Sequence, residues 1–395
     1  MLKNLHIITR LIRGGADESV LSLVMGLEEA EYEVMLLVGG DSDPVYIEQY
    51  KEHVNILQEP SLRRNIKLFC DLLSFCRIYQ YIKKEKFDIV HTHTAKAGFI
   101  GRIAAKLAGV PIIIHTVHGI TFHEFTPPIR RTIYLAFEKI AASITDKFIA
   151  VGRDLQNYYL RNRIGRSEQY SIIHTGMDIE RFYQAGNLPV NIIKKKRLEF
   201  QISSKSIIIG KVARLDFGKG QQYLIQAAPK IINHFPDAKF IFAGEGPYRK
   251  KLETMVKDLA LDDHVLFTGF RRDIEEMIAM FDIAVFTSLW EGLPRVVVQY
   301  IAVGKPVVAF DIDGVAELVK NGVNGFTVPA KDVDQLAKRI IELLDHLPNS
   351  RIMGKNGRRF IDESWGIDRM VTEIDQEYQL LLKKKHHDGS QSLYC

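Results

Sequence analysis

Short apolar runs alternate with segments of helical periodicity along almost the whole chain. The runs predict six strands in each half, at residues 5–8, 34–38, 89–91, 112–116, 147–151 and 171–174, and at 206–213, 239–243, 265–268, 283–287, 306–309 and 326–328. Most of these runs are apolar throughout, which is typical of strands buried on both faces. The pattern predicts an α/β protein with two doubly wound, Rossmann-like parallel sheets, each covered by helices on both faces.

One segment interrupts this alternation. Residues 186–206 combine a glycine, a proline, a four-residue basic run and a serine-rich end, a composition typical of a linker. We therefore predict two domains, 1–190 and 206–360, followed by a C-terminal helix at 361–385. Because ligands of parallel sheets bind beyond the carboxyl ends of the strands, we expect a ligand site in a cleft between two such domains.

The composition narrows the class of protein. Of the 395 residues 46% are hydrophobic and 26% are charged, so a disordered, collagen-like or coiled-coil protein is excluded. The net charge of +5 is spread over both halves, which argues against nucleic-acid binding. The three cysteines show no CxxC spacing. Neither a secretory signal nor a run of roughly 18 apolar residues is present, so we expect a cytoplasmic protein without disulfides.

The segment VARLDFGKGQQYLIQA, residues 212–227, places two cations between a strand and a helix. Arg214 and Lys219 are five positions apart on this loop, so both can reach one anion, and the helix N-terminus adds free N–H groups. A diphosphate fits this arrangement, because an arginine can bind two of its oxygens at once. The alternative is a solvated basic loop.

A second strand–turn–helix junction lies in residues 288–319. Glu291, Gly292 and Leu293 form the predicted turn, and Pro294 suits the first position of the helix. Glu291 can accept hydrogen bonds from sugar hydroxyls, and Gln299, on a neighbouring side of the helix, can reach another part of the same ligand. The alternatives are an exposed carboxylate stabilised by the helix dipole and a surface glutamine.

Glycine-containing turns follow three other predicted strands. They allow the backbone to approach a ligand closely, although each also fits an ordinary turn. The residues of these turns that we predict to line a ligand pocket are Gly14, Gly15, Gly244, Gly246, Gly269, Phe270 and Arg271.

Five histidines, His91, His93, His115, His118 and His123, end or follow two predicted strands of the first domain. One interpretation is a zinc site, but the chain has neither a helical HExxH motif nor a cysteine partner nearby. The other is a neutral histidine that hydrogen-bonds a polar ligand, for which His118 is best placed. His91 and His115 are expected to be satisfied core histidines, so we predict no metal site.

Taken together, these motifs resemble the family 4 retaining glycosyltransferases of the two-domain GT-B fold. In the second half the resemblance rests on RLDFGKG, EGLP and GKPVVAFDIDGVAELV. In the first half, VHTHTAKAGFIGRIAAKLAGVPIIIHTVHGITF is similar to members that build bacterial capsules, exopolysaccharides and lipid-linked oligosaccharides. The resemblance extends to the helix around Trp365, which in the family crosses back to the first domain.

The resemblance implies a reaction and the residues that perform it. A sugar passes, with retention of anomeric configuration, from a nucleotide-diphosphate donor, expected to be a UDP-sugar, to a glycan or polyprenyl-diphosphate-linked acceptor on the first domain. No metal or other cofactor is required. The implied catalytic residues are His118 beside the sugar, Arg214 and Lys219 on the diphosphate, and Glu291 on the sugar hydroxyls. The backbone of Gly292 and Leu293 lies near the phosphates, and the Gly14–Gly15 loop closes over the donor–acceptor junction.

One position departs from the family pattern. Gln299 stands where the family has a glutamate that binds the ribose hydroxyls, so we expect a weaker donor contact without loss of activity. Basic clusters at 63–67, 83–86 and 130–131 predict peripheral contact with anionic lipids of the plasma membrane, although each also fits a solvated face.

The residues are also compatible with two other functions. A sugar-nucleotide epimerase or hydrolase on the same fold needs an acid–base pair, and the first half shows no obvious pair of carboxylates. An inactive donor-binding partner subunit is suggested by Gln299 alone. A dehydrogenase is disfavoured, because no GxGxxG follows the first strand.

Overall fold

The computed structural model describes residues 1–395 except 31, 121, 123–125 and 392–395, so His123 and Cys395 lie outside the described residues. The chain divides into two compact units. The first comprises Met1–Met177 together with Trp365–Cys395, and the second comprises Asp178–Ser364.

In the described residues, each unit contains one parallel sheet. The first sheet consists of β1 (Lys3–Ile8), β2 (Glu33–Gly39), β3 (Ile56–Glu59), β4 (Ile89–His93), β5 (Ile112–Val117), β6 (Lys147–Ala150) and β7 (Tyr170–Ile172). The second consists of β8 (Ile207–Val212), β9 (Ala238–Ala243), β10 (Val265–Gly269), β11 (Ile283–Phe286), β12 (Val307–Asp311) and β13 (Gly325–Pro329). Their spatial orders are β3-β2-β1-β4-β5-β6-β7 and β10-β9-β8-β11-β12-β13. The predicted pair of doubly wound parallel sheets is confirmed.

Helices connect the strands and cover the sheets. They are α1 (Gly15–Glu29), α2 (Pro44–Tyr50), α3 (Leu68–Glu85), α4 (Ala95–Ala108), α5 (Pro128–Ala142), α6 (Arg153–Arg161), α7 (Glu180–Ala185), α8 (Val190–Glu199), α9 (Gln221–His234), α10 (Arg249–Asp258), α11 (Ile274–Ala279), α12 (Arg295–Val303), α13 (Val315–Leu318), α14 (Val333–Asp345), α15 (Leu347–Gly357) and α16 (Ile367–Gln391). Short 3-10 turns lie at Ser167–Gln169, Phe217–Lys219, Arg358–Phe360 and Glu363–Trp365.

The first sheet is buried on both faces, as its continuous apolar strands predict. On one face α1 and α16 contribute Val24 and Ile374 to a cluster with Ile89 of β4. On the other face α3 and α4 contribute Ile78 and Ala104 to a second cluster. Two layers of helices therefore enclose the strands, which removes their backbone polar groups from water.

The boundary between the two units, after Met177, precedes the predicted linker at 186–206. Much of that segment forms α8, and its basic run makes ion pairs within the second unit. Lys196 contacts Asp273 and Glu276, and Arg197 lies 3.3 Å from Asp282. The basic run therefore joins α8 to its own unit, and the chain passes between the units at Met177. At the other end, Trp365 and α16 belong to the first unit.

Candidate active site

In each sheet the strand order reverses once, between β1 and β4 in the first and between β8 and β11 in the second. Ligands of open parallel sheets bind at such reversals, because the connections on the two sides diverge and leave a crevice at the carboxyl ends of the strands. The loop after β8 carries Arg214 and Lys219, and the turn after β11 carries Glu291. The two strongest sequence motifs therefore leave the second sheet side by side.

Lys219 and Glu291 are in direct contact. The Lys219 ammonium donates a hydrogen bond to Glu291 Oε1, across 72 positions of sequence. The side chains are 34% and 20% exposed, so the ion pair lies at the surface of the unit. The structure thus brings together the cation and the carboxylate that the sequence predicts, whereas Arg214 is exposed on the same loop.

Backbone contacts fix the loop that carries Lys219. Gly220 has a φ of 68°, and a Cβ at this position would lie 1.8 Å from the Thr287 carbonyl oxygen. Thr287 Oγ1 donates to the Gly220 carbonyl oxygen at 2.7 Å, and the Leu289 N–H donates to the Gly218 carbonyl oxygen at 2.8 Å. Only glycine fits at position 220, and the start of α9 is held against the end of β11.

The predicted glycine turn after β9 supports the Arg214 loop. Gly244 has a φ of 145°, and a Cβ there would lie 2.1 Å from the Ala213 carbonyl oxygen. The Leu215 N–H donates to the Glu245 carbonyl oxygen at 3.0 Å, and a Cβ on Gly246 would lie 2.2 Å from the Leu215 carbonyl oxygen. These glycines therefore permit close packing of backbone on backbone, and their contact with a ligand stays a prediction.

The turn at Gly269 contains an exposed Phe270 and a partly buried Arg271. The Arg271 guanidinium lies 2.8 Å from Glu199 and stacks over the Phe200 ring at 5.2 Å. This side chain is therefore engaged by α8 and the residue that follows it. This contact leaves the backbone of the turn unaffected, and the predicted place of Gly269, Phe270 and Arg271 in a ligand pocket stays a prediction.

Gly292 and Leu293 are buried in the turn before α12, and Gln299 is half-buried on that helix. Tyr300 OH accepts a hydrogen bond from the Val212 N–H at 2.7 Å. The helix that carries Gln299 is thereby joined to the end of β8, so the glutamine belongs to the same end of the sheet as Arg214.

In the first unit, Gly14 and Gly15 follow β1 and begin α1. Asp17, in the first turn of that helix, lies close to Gly14, and a Cβ on the glycine would be 3.2 Å from the Asp17 carboxylate. Burial raises the pKa of Asp17 to about 7, while the charge of Arg10 opposes the shift. A carboxyl group with a raised pKa therefore adjoins the predicted glycine loop.

Three histidines form a hydrogen-bonded chain at the reversal of the first sheet. His6 Nδ1 lies 3.0 Å from His93 Nε2, and His93 Nδ1 lies 3.1 Å from His118 Nε2. His6 and His93 are fully buried and His118 is half-buried. Burial lowers the pKa of His6 to about 3 and that of His93 well below its ordinary value. Neutral imidazoles thus connect His118 to the interior.

The other two described histidines of the series are satisfied core residues, as predicted. His91 contacts Tyr378 OH at 2.6 Å and Thr116 Oγ1 at 2.7 Å, and His115 contacts Thr92 Oγ1 at 2.9 Å. The ligating atoms of His6, His91 and His93 lie within 4.8 Å of one another, a spacing that suits a metal. Both nitrogens of His91 and of His93 are already hydrogen-bonded, so a metal there has to displace those contacts.

Two family models match the chain. "Glycosyltransferase Family 4" matches residues 13–181 and "Glycosyl transferases group 1" matches residues 192–360. The UDP-Gal:alpha-D-GlcNAc-diphosphoundecaprenol alpha-1,3-galactosyltransferase of Escherichia coli is 34% identical over 81% of this chain and 82% of its own length. The chain therefore belongs to the glycosyltransferase family that these two models describe. The putative glycosyltransferase EpsD of Bacillus subtilis is 30% identical over 83% of the chain and 84% of its own length.

Solved structures show the fold of this glycosyltransferase. Anabaena HepE in complex with UDP and glucose superposes with a TM-score of 0.81 at 22% identity, covering 96% of this chain and 100% of that one. WaaG, a glycosyltransferase of lipopolysaccharide biosynthesis, gives a TM-score of 0.76 at 16% identity, covering 94% of this chain and 99% of that one. The predicted GT-B fold is confirmed.

Three polar residues near the sheet reversals of the glycosyltransferase were missed by the sequence interpretation: His6, Asp17 and Lys211. His6 lies opposite His91 in the β1–β4 register, and this pairing joins residues that are far apart in the chain. Lys211 interrupts an otherwise apolar strand, IIIGKV, which is a signal that the sequence does contain.

Proposed function

We propose that this glycosyltransferase transfers a hexosyl or N-acetylhexosaminyl residue, with retention of anomeric configuration, from a UDP-sugar to a polyprenyl-diphosphate-linked or glycan acceptor in cell-surface polysaccharide synthesis. The observation that carries the proposal is the contact of Lys219 with Glu291 beside the start of α9. This contact supports the proposal because it joins the cation that we assign to the diphosphate and the carboxylate that we assign to the sugar hydroxyls. The E. coli relative, named for galactose transfer from UDP to a diphosphoundecaprenol-linked GlcNAc, supports this donor and acceptor.

The leaving diphosphate determines the role of the two cations. When the bond between the sugar and the diphosphate breaks, negative charge develops on the departing phosphate oxygen. Arg214 and Lys219, together with the N-terminus of α9, oppose that charge, and electrostatic stabilisation of this kind is usually a large contribution to catalysis. We propose that these groups suffice without a metal ion.

The Glu291 carboxylate has two alternative partners, the Lys219 ammonium with which it is paired and the hydroxyls of a donor sugar. A bound diphosphate competes for the Lys219 ammonium, since a phosphate oxygen is an equally good acceptor. The Glu291 carboxylate is then available to accept hydrogen bonds from sugar hydroxyls. In the first unit we propose that His118 positions the transferred sugar, and that Gly14 and Gly15 allow the backbone to approach the reacting groups.

The test begins with calorimetric binding of UDP, GDP and ADP, with and without EDTA. Metal-independent binding of UDP at micromolar strength, followed by transfer from a UDP-hexose panel to a polyprenyl-diphosphate-linked GlcNAc, is the expected result. NMR of the product reports whether the anomeric configuration is retained. Donor cleavage without transfer indicates a hydrolase instead, and failure of all three nucleotides to bind contradicts the proposal.

We also propose peripheral attachment to the membrane that holds such an acceptor. No helix in the described part of the chain is both long enough and apolar enough to cross a bilayer. A surface that we term the apolar–basic face instead presents exposed apolar side chains from the residues just before α3, from the start of α3 and from α5; both helices pack beside α4. Its apolar members are Ile66, Leu68, Phe69, Leu72, Ile129, Ile133, Phe137 and Ile140.

Charge supports the lipid assignment of this face. On α5 its apolar residues recur every three or four positions and so share one side of the helix. Exposed Arg63, Arg64 and Lys67 precede α3, and exposed Arg130 and Arg131 lie in the first turn of α5. Each basic residue contributes about 1 kcal/mol near an anionic surface, and salt weakens the attraction.

Sedimentation with vesicles containing anionic phospholipid tests this attachment. We expect binding at low salt that weakens at high salt, and that weakens in the Phe69→Ser and Ile129→Ser variants. Leu198→Ser changes an equally exposed leucine of the second unit and serves as the matched control. Equal sedimentation of all variants, or none at low salt, removes the apolar–basic face from the proposal.

A further inference from the structure

A lysine without a hydrogen-bond partner lies inside the second sheet. Lys211, on β8, is 1% exposed, and among the described residues its Nζ has no hydrogen-bond partner. The Nζ atom lies 5.5 Å from the centre of the Phe286 ring on β11. A buried ammonium without a hydrogen bond or counter-ion is costly, and lysine is seldom fully buried unless it is paired. The position therefore requires an explanation beyond packing.

The surroundings of Lys211 give that explanation. β8 and β11 flank the reversal of the second sheet, and Lys211 and Phe286 lie at the carboxyl ends of these two strands. The charged groups that act on Lys211 are Lys219 and Glu291. Lys211 therefore lies beneath the ion pair that we assign to the donor.

We propose that Lys211 is an electrostatic residue of the donor site, which takes up a proton when a nucleoside diphosphate binds above it. The inference rests on the proposed function for the nature of the ligand. The proton comes from bulk solvent and forms an N–H bond at Nζ, so that the lysine changes from neutral amine to ammonium. It does not touch the ligand, and it acts through the field that both share.

The direction of the proton transfer follows from charge. The pKa of Lys211 is lowered to about 7, first by burial and then by the positive charge of Lys219, while Glu291 opposes the shift. A bound diphosphate adds negative charge beside Lys219 and so favours the protonated form. At a pKa of about 7 the neutral fraction available for uptake is roughly 0.1 at pH 6, 0.5 at pH 7 and 0.9 at pH 8. Uptake should therefore increase with pH.

Isothermal titration of UDP in two buffers of different ionisation enthalpy measures this proton directly. Measurements at pH 8 are the most informative, because the terminal phosphate of UDP, with a pKa near 6, is by then almost fully ionised. We expect the wild-type protein to take up more than about half a proton per UDP at pH 8, and Lys211→Met to lose that uptake. For the wild-type protein, the proton uptake on UDP binding should fall towards zero at pH 6.

Lys305 provides the matched control. It is a second lysine of the same unit whose pKa is lowered by burial, to about 8, but its Nζ donates to the Ala279 carbonyl oxygen at 2.6 Å. Lys305→Met should leave the proton uptake unchanged. Equal uptake in wild type and Lys211→Met, or no uptake by wild type at pH 8 while UDP still binds, overturns the role of Lys211. Failure of UDP, GDP and ADP to bind overturns the proposed function itself, and the role of Lys211 with it.

Discussion

Removal of the Lys219 ammonium separates catalysis from stability more clearly than any other change at this site. The ammonium is paired with Glu291, and the side chains are 34% and 20% exposed. Partly exposed ion pairs contribute at most about 1 kcal/mol, because water and salt screen them. Lys219→Ala should therefore lower the free energy of unfolding by less than about 1 kcal/mol.

The cost in the transition state is larger. The ammonium then faces the charge that develops on the leaving diphosphate, and loss of one such preorganised group costs roughly 3 kcal/mol, or on the order of 100-fold in kcat. Lys230→Ala is the matched control, since Lys230 lies on α9, the helix that follows Lys219, and makes a surface ion pair with Asp334 at 3.1 Å. It should leave both kcat and stability close to wild type.

The assay is UDP release under saturating donor, with thermal unfolding measured on the same preparations. Combining Lys219→Ala with Glu291→Gln gives a double-mutant cycle, and we expect the two effects on kcat to be non-additive because the side chains are in contact. A kcat within a fewfold of wild type, in a variant that still folds and binds UDP, would refute the assignment of Lys219 to the diphosphate.

Three further changes test other parts of the structure. Glu138→Gln removes the charged partner of the fully buried Arg102, 2.8 Å away. It should lower the free energy of unfolding of the first unit by about 3–5 kcal/mol in urea unfolding. A loss below about 1 kcal/mol would show that the Arg102 charge does not depend on Glu138. Gly220→Ala forces a Cβ against the Thr287 carbonyl oxygen, 1.8 Å away, so UDP affinity by calorimetry should fall at least tenfold, and unchanged affinity would place the nucleotide elsewhere. Gln299→Glu should tighten UDP binding by about 1 kcal/mol, and equal or weaker binding would remove this residue from the ribose.

The sheets were predictable because strands buried on both faces leave long apolar runs in the sequence. All twelve predicted strands are present. The strand that was missed, β3, has the sequence ILQE and lies at the edge of the sheet, where one side of the strand needs no partner and polar residues are tolerated. The segment forms a strand because it pairs with β2, and a local sequence pattern carries no information about that pairing.

The candidate site was predictable as far as its motifs are local. The sequence singled out Lys219 and Glu291 because each lies in its own strand–turn–helix junction, and the fold brings the two side chains into contact. The predicted domain boundary lies too far along the chain, because a basic run resembles a solvated linker. In the structure, Arg197 of this run instead makes an ion pair with the buried Asp282. The hydrogen bond between His6 and His93 joins two neighbouring strands, β1 and β4. Like β3, it depends on strand pairing, which a local sequence pattern does not contain.

The first unit is discontinuous in the chain, and this has a consequence for its biosynthesis. Tyr378 of α16 is fully buried, contacts His91 and belongs to the same apolar cluster as Ile89. A ribosome must therefore translate the whole of 178–364, on the order of 10–40 s at the usual rates, before the residues that complete this core emerge. During that interval the strands of the first unit lack part of one covering layer, the part that α16 supplies beside α1. A fragment ending at Met177 carries the same exposed apolar surface, so an isolated first unit requires residues 365–391 to be rejoined to it.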